Sequence, residues 1–260
     1  MVRWARRLRW ARLKTIASVL DSVFWGMRQI DGAFGMREWL TTSRLRTHYS
    51  PRSTGWRSGG PVVLVLAGLA TPWRFMRPVL NALSDRGYRV VVLPQLGWNL
   101  RPVAELAATV ERYLDAHPEL GRVLIVGHSK GGLIAKQVLL DDLAGDRTIG
   151  AVAVAAPFGG ARAARFVHGS HPITREMIGL RAGTPMQLAF AMRDGADARI
   201  ASIMPLYDQI VGIPGKLRAG RNLTVRALGH NLLLADRRVH DILDRELRAL
   251  IEHDTVVRSS

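Results

Sequence analysis

The chain of 260 residues contains no cysteine. That excludes a disulfide framework, a thiolate nucleophile and any Cys-ligated metal centre. Lysine is nearly absent, standing only at Lys14, Lys130, Lys136 and Lys216. Acidic residues are also few, 21 Asp and Glu against 37 Lys and Arg, so arginine drives the net charge to +16. A chain this basic expects anionic partners, either acidic lipid or nucleic acid. No nucleic-acid-binding motif accompanies the charge, so nucleic acid is not an expected partner. A long uncharged apolar run is missing as well. Residues 16–30 come nearest, but Asp21 and Arg28 leave them too broken for a membrane-spanning helix. The N-terminal region also lacks the clean apolar segment and small-residue cleavage site of a secretory signal. These absences fit a cytoplasmic protein. Repeats and low-complexity tracts are absent too. What remains is 48% hydrophobic, enough for one large α/β core.

The most informative stretch is residues 122–132. Val123, Leu124, Ile125 and Val126 read as a buried strand. Gly127-His128-Ser129-Lys130-Gly131 follows, and Leu133 to Leu140 continues at helical spacing. Strand, tight turn and helix around G-x-S-x-G is the context a nucleophile elbow requires. Gly127 and Gly131 leave room for a strained serine, and Gly132 eases packing of the helix.

The rest of the chain alternates around it. Residues 61–66, 88–93 and 149–154 read as further buried strands, with helices over 75–86 and 103–116. The alternation predicts an α/β fold, a mostly parallel sheet of about six strands with helices on both faces. Residues 161–199 break the rhythm and read as a short cap insertion. Two short strands follow at 200–204 and 223–228, then a closing helix over 237–251. The division expected is a basic amphipathic helix and linker over 1–60 and a catalytic domain over 61–260. In the first part, Arg3, Arg6, Arg7, Arg9, Arg12 and Lys14 precede an apolar face of Ile16, Val19, Leu20, Val23, Phe24 and Met27. With Trp4 and Trp10 as interfacial residues, residues 1–30 read as a helix lying on an anionic membrane, peripheral to its inner face.

A serine hydroxyl needs a base, and the base needs a carboxylate to fix its tautomer. In this class of sheet the order is Ser, then acid, then His. His230 follows the last strand in Leu228-Gly229-His230-Asn231, and Asp208 follows the strand before it. Asp194 and Asp197 precede that strand and so fall at the wrong edge, while Asp236 breaks the order. His128 adjoins the nucleophile, with its ring expected to point away. The oxyanion hole needs two backbone N–H donors. Those of Lys130, after the nucleophile, and Leu69, after the first core strand, are expected to supply them, and the Lys130 side chain to pack outward.

The elbow, the Leu66-Ala67-Gly68-Leu69-Ala70-Thr71-Pro72 loop, Ala156-Pro157-Phe158-Gly159-Gly160, Tyr207-Asp208-Gln209-Ile210-Val211 and Gly229-His230 together resemble the α/β-hydrolase superfamily. Within it they are similar to bacterial class 2 lipases and GPI inositol-deacylase-like serine esterases, down to the Gly183-Thr184-Pro185 turn of the cap. The resemblance covers residues 61–252. It implies a serine carboxylic ester hydrolase using Ser129, His230 and Asp208, often on lipid-like esters, with no cofactor and no metal. Acyl transfer by the same triad and a non-catalytic membrane-associated protein are the alternatives. Trp73, Phe75, Trp98, Phe158, Met186, Leu188 and Phe190 are candidates to line an acyl pocket. Where many relatives have His-Gly in the oxyanion loop, this chain has Ala67-Gly68.

Overall fold

The computed structural model describes residues 2–41, 48–49, 61–212 and 216–259. The turn-rich linker expected over 50–60 lies outside the described residues.

Strand β2 (Val62–Leu66) is apolar at every position and buried at every position. That is the signature of a strand covered on both faces. Strand β4 (Val123–His128) is likewise buried at every position and β5 (Thr148–Val154) at all but Ile149. Side chains alternate across the sheet with a period of two. Leu64, Val91, Ile125 and Ala151 pack on one face against α3 (Val103–Ala116) and α4 (Lys130–Asp141). Val63, Val90, Leu124 and Val152 pack on the other, against α2 (Arg77–Asp85) and α7 (Arg237–Ser259). Helix α7 runs eight residues past the end expected for it.

Among the described residues the sheet has seven strands in the order β1-β3-β2-β4-β5-β6-β7. It exceeds the expected six by β1 (His48–Tyr49), a two-residue strand antiparallel to β3 (Arg89–Val92). Strands this short leave little pattern in a sequence. All other pairings are parallel, including those of β6 (Ile200–Tyr207) and β7 (Arg221–Leu228). From β2 the chain steps outward to β3, then returns to place β4 on the other side of β2. The crevice beyond the carboxyl ends of β2 and β4 is therefore a topological switch point, where such sheets bind ligands.

Two elements cover this edge. Residues 161–199 carry α5 (Pro172–Gly179) and α6 (Pro185–Met192), the latter N-capped by Thr184. Helix α1 (Val2–Thr41) lies across the loops that follow β2, β6 and β7. Among the described residues, no helix is long and apolar enough to cross a membrane.

Candidate active site

Strand β4 ends in Ser129 with φ 53° and ψ −122°, a conformation that an L-residue adopts only under constraint. The constraint is visible. Ser129 N donates to the Val154 carbonyl at 2.9 Å, and Gly132 N donates to the Ser129 carbonyl at 2.9 Å. A methyl group at Gly127 would meet the backbone of Gly131, and one at Gly131 would meet the Leu66 carbonyl. These neighbours are backbone and cannot rotate away. Gly131→Ala is therefore expected to destabilise the fold by about 3 kcal/mol. Its thermal unfolding midpoint should fall by roughly 6 °C or more in calorimetry.

Strands β6 and β7 end in register, Tyr207 against Leu228, so the residues after them emerge side by side. The His230 Nδ1–H donates to Asp208 Oδ2 at 2.8 Å. The other carboxylate oxygen of Asp208 accepts the amides of Ile210 and Val211, both at 2.8 Å. Burial pushes the Asp208 carboxyl up, but the His230 charge and these hydrogen bonds outweigh it and the net shift is downward. Burial likewise pushes the His230 imidazole down, and Asp208, then Asp21, reverse it to a net rise. With Nδ1 protonated, the lone pair of the neutral ring is on Nε2. Ser129 and His230 line one cavity of about 360 Å³. The described hydrogen bonds of His230 run to Asp208 and His128, not to the Ser129 hydroxyl.

The loop after β2 is held by three hydrogen bonds from two side chains. The Gly68 carbonyl accepts from Thr71 Oγ1 at 2.9 Å and from Asn99 Nδ2 at 3.1 Å. Asn99 also donates to the Ala67 carbonyl at 2.9 Å. A trans peptide points its N–H opposite to its C=O. Fixing the Gly68 carbonyl therefore fixes the direction of the Leu69 N–H. Leu69 lines the same cavity as Ser129, and Gly68 packs directly against the serine. Lys130 is the first residue of α4, where backbone N–H groups lack intrahelical acceptors and the helix dipole is positive.

The Lys130 side chain corrects an expectation. It is fully buried rather than outward. Its Nζ donates to the carbonyls of Asn99 at 2.9 Å and Arg101 at 2.6 Å, and to Glu176 Oε2 of α5 at 2.5 Å. Burial lowers the Lys130 pKa, and Glu176 opposes the shift. The side chain ties the elbow to the cap and to the loop after β3. Lys136, six residues further along α4, is buried in an ion pair with Asp197 at 2.8 Å.

His128 is also corrected. Its ring turns toward the site, 4.9 Å from the His230 ring and stacked on Phe75 at 6.2 Å. The Nε2–H donates to the His230 carbonyl at 3.2 Å. Burial holds its pKa at about 3, so it stays neutral and acts as a fixed donor behind His230.

Asp21 of α1 is the residue that sequence reasoning missed. It is 1% exposed. Its Oδ1 accepts the amides of Asn231 at 2.6 Å and Leu232 at 2.8 Å. Its Oδ2 accepts the side-chain amides of Asn231 at 2.8 Å and Gln209 at 2.6 Å. One carboxylate thus joins the segment bearing Asp208 to the segment bearing His230. The same helix holds the loop after β2, through Gln29 Nε2 to the Ala70 carbonyl at 2.7 Å. A lone acid on an apolar helix face was the available signal, since such a group is buried only with partners.

The cavity walls are largely apolar, with Leu69, Ile173, Met177, Leu180, Val211 and Trp25 prominent. These are not the residues expected. The Met186 side chain lies outside the described residues. Phe75 and Phe158 are core, and Trp73, Trp98, Leu188 and Phe190 do not line the cavity. Helix α1, expected to lie outside the catalytic domain, supplies Ser18, Ser22 and Trp25 to the wall. Among the described residues, no group of three or more His, Asp or Glu side chains is placed to hold a metal ion.

Comparison with known proteins agrees with this architecture. The chain is 36% identical over 91 residues to RutD of Variovorax paradoxus, provisionally named a carbamate hydrolase, covering 32% of this chain and 34% of that one. It is 31% identical over 110 residues to epoxide hydrolase B of Mycobacterium tuberculosis, covering 39% and 30%. The chain spans about a third of the length of these curated relatives. The structure of the metagenome-derived lipolytic enzymes LipS and LipT superposes with a TM-score of 0.56 over 75% of this chain and 95% of that one, at 15% identity. At that identity the likeness concerns the fold alone. A model of the alpha/beta hydrolase family matches residues 59–259, which leaves α1 outside the match. With the sheet order, the elbow and this match in agreement, the chain belongs to the alpha/beta hydrolase family.

Proposed function

We propose that the protein is a serine hydrolase of carboxylic esters with apolar acyl groups. The observation that carries this reading is the buried Asp208–His230 pair, 2.8 Å apart, whose His230 lines an apolar cavity together with a constrained Ser129. His230 Nε2 takes the Ser129 proton as the hydroxyl oxygen attacks the ester carbonyl. The Leu69 and Lys130 amides receive the oxyanion that forms. Asp208 keeps the ring in the required tautomer and stabilises the imidazolium. The imidazolium then protonates the departing alcohol. Water, deprotonated by the same ring, releases the acid from the acyl-enzyme. The apolar walls around Met177, Leu180 and Val211 favour an acyl chain over a polar substituent.

A fluorophosphonate probe is expected to label the wild-type protein at Ser129, and an ester panel graded by acyl length to show a preference for chains longer than acetyl. Absence of labelling on a folded protein overturns the reading.

The pH dependence has a defined sign. Only the neutral imidazole accepts the serine proton, and the His230 pKa lies above its ordinary 6.5. Activity is therefore expected to fall as pH drops through that raised value. In a kcat/KM profile for a neutral ester, the acid limb should lie above pH 6.5. Raised folded-state affinity for that proton also means that His230's own stabilising contribution is full below its unfolded value and lost as pH rises through the folded one, while that of Asp208, whose pKa is lowered, is lost as pH falls through its folded value.

A further inference from the structure

Helix α1 has two unlike faces. Between residues 13 and 34 its charged side chains are Lys14, Asp21, Arg28 and Asp31. All of them turn toward the domain. Lys14 sits over the Tyr207 ring, Asp21 is bonded to Asn231, and Arg28 pairs with Asp31 and reaches the Phe75 carbonyl. No exposed position in that span carries a charge. Ile16, Leu20, Val23, Met27, Ile30 and Phe34 lie along the outward face, each more than half exposed. At roughly 1.5 Å per residue, that stripe is about 28 Å long. An exposed apolar surface of this extent marks a contact with something apolar. Just before it come exposed Arg6, Arg7, Arg9 and Arg12, with Trp4 71% exposed beside them. Trp10, expected at an interface, is instead half-buried near Lys14.

We infer that the outward face of α1 seats the protein on an anionic phospholipid bilayer, with the cavity mouth beside the lipid. Charge complementarity favours this occupant, because the exposed arginines adjoin the apolar stripe and meet acidic headgroups as its side chains enter the acyl boundary. The stripe also has the spacing of a two-helix seam. One flank of that seam is Val19, Gly26 and Ala33, and the other, Ala17, Phe24 and Asp31, turns toward the domain with Asp31 paired to Arg28 and Arg77, so no exposed charge selects a partner helix, and a second copy of this chain brings the same net charge of +16. The inner face of the same helix lines the cavity through Ser18, Ser22 and Trp25. One helix thus faces lipid on one side and the Ser129 cavity on the other. The seating stands without the esterase reading, and only delivery of a lipid-borne ester rests on it.

The test is flotation of the full chain with vesicles of mixed phosphatidylcholine and phosphatidylglycerol. The wild type is expected to float with mixed vesicles and far less with phosphatidylcholine alone. Met27→Glu/Ile30→Glu, at positions 66% and 63% exposed, should keep the fold and lower the partition coefficient by about a hundredfold. Arg6→Gln/Arg9→Gln should lower it by roughly thirtyfold. Hydrolysis of a short water-soluble ester should be unchanged in both variants. Failure of the wild type to float, or equal flotation of the Glu variant, overturns the proposal. So does a wild-type dimer in solution that the Glu variant converts to monomer, which assigns the face to a second copy. Loss of activity in Ser129→Ala does not enter these outcomes, so the two readings fail separately.

Discussion

Ser129→Gly is expected to be inactive and more stable than the wild type. Both effects come from one backbone conformation. At φ 53° and ψ −122°, a residue with a Cβ is strained by roughly 1–3 kcal/mol, and glycine is not. Glycine gives part of that back as chain entropy in the unfolded state, leaving a net gain of about 1 kcal/mol. The unfolding midpoint should rise by roughly 2–4 °C. The proposed nucleophile is lost in the same step, so ester hydrolysis should fall by about a thousandfold or more. Ser129→Ala separates the two. It removes the hydroxyl and keeps the Cβ, so its activity should fall as far while its stability stays near that of the wild type. Calorimetry and ester kinetics on the three proteins check the pattern. Retained hydrolysis in either variant would remove the triad reading, and an unchanged midpoint in Ser129→Gly would show that the elbow carries no strain.

Asp21→Ala is expected to injure activity from outside the part of the chain that matches the family. The substitution leaves two backbone amides, Asn231 and Leu232, and two side-chain amides, Asn231 and Gln209, without their acceptor. An orphaned buried amide costs about 1–3 kcal/mol, and water entering the enlarged cavity recovers part of it. A loss of about 3 kcal/mol, or roughly 6–12 °C, is expected. The segments bearing Asp208 and His230 are no longer joined, so kcat/KM should fall by roughly a hundredfold. A purely structural role predicts only the loss of stability. A positioning role also predicts a moved pH profile, because Asp21 helps to raise the His230 pKa. Removing its charge should lower that pKa and carry the acid limb to lower pH. Asp21→Asn keeps an acceptor for the backbone amides and should recover stability better than the pH shift. An unmoved acid limb in both variants would reduce Asp21 to a structural anchor.

The elbow was legible because it is a local event. A buried strand, two glycines flanking a serine and a helix are contiguous in the chain, and each follows from short-range sterics. Asp208 and His230 were legible because parallel strands deliver their following residues to one edge. What could not be read depends on contacts between distant segments. Asp21 looked like a break in an apolar face, since its partners lie more than 180 residues further on. Lys130 looked like a surface lysine, because nothing near it in sequence offers the Asn99 and Arg101 carbonyls that solvate it. His128 was judged only as the neighbour of the nucleophile, and nothing local says that His230 would settle against it. The cavity walls were misassigned for the same reason. They were sought among other loop and cap residues, and α1 supplies part of them.

The Asp21 contacts also bear on when the site comes into being. On the ribosome, this carboxylate is made about 210 residues before the amides of Asn231 and Leu232 that it accepts. Helix α1 therefore emerges early and has no completed site to dock against until β7 and the loop after it have been released. Contacts of such separation close slowly and late in folding. A nascent chain held short of residue 230 lacks both the proposed base and the segment that Asp21 secures. The contacts that Asp21 makes are therefore completed only after Leu232 has left the ribosome, whereas those of Gln29 and Arg28 with residues 70–75 can form much earlier.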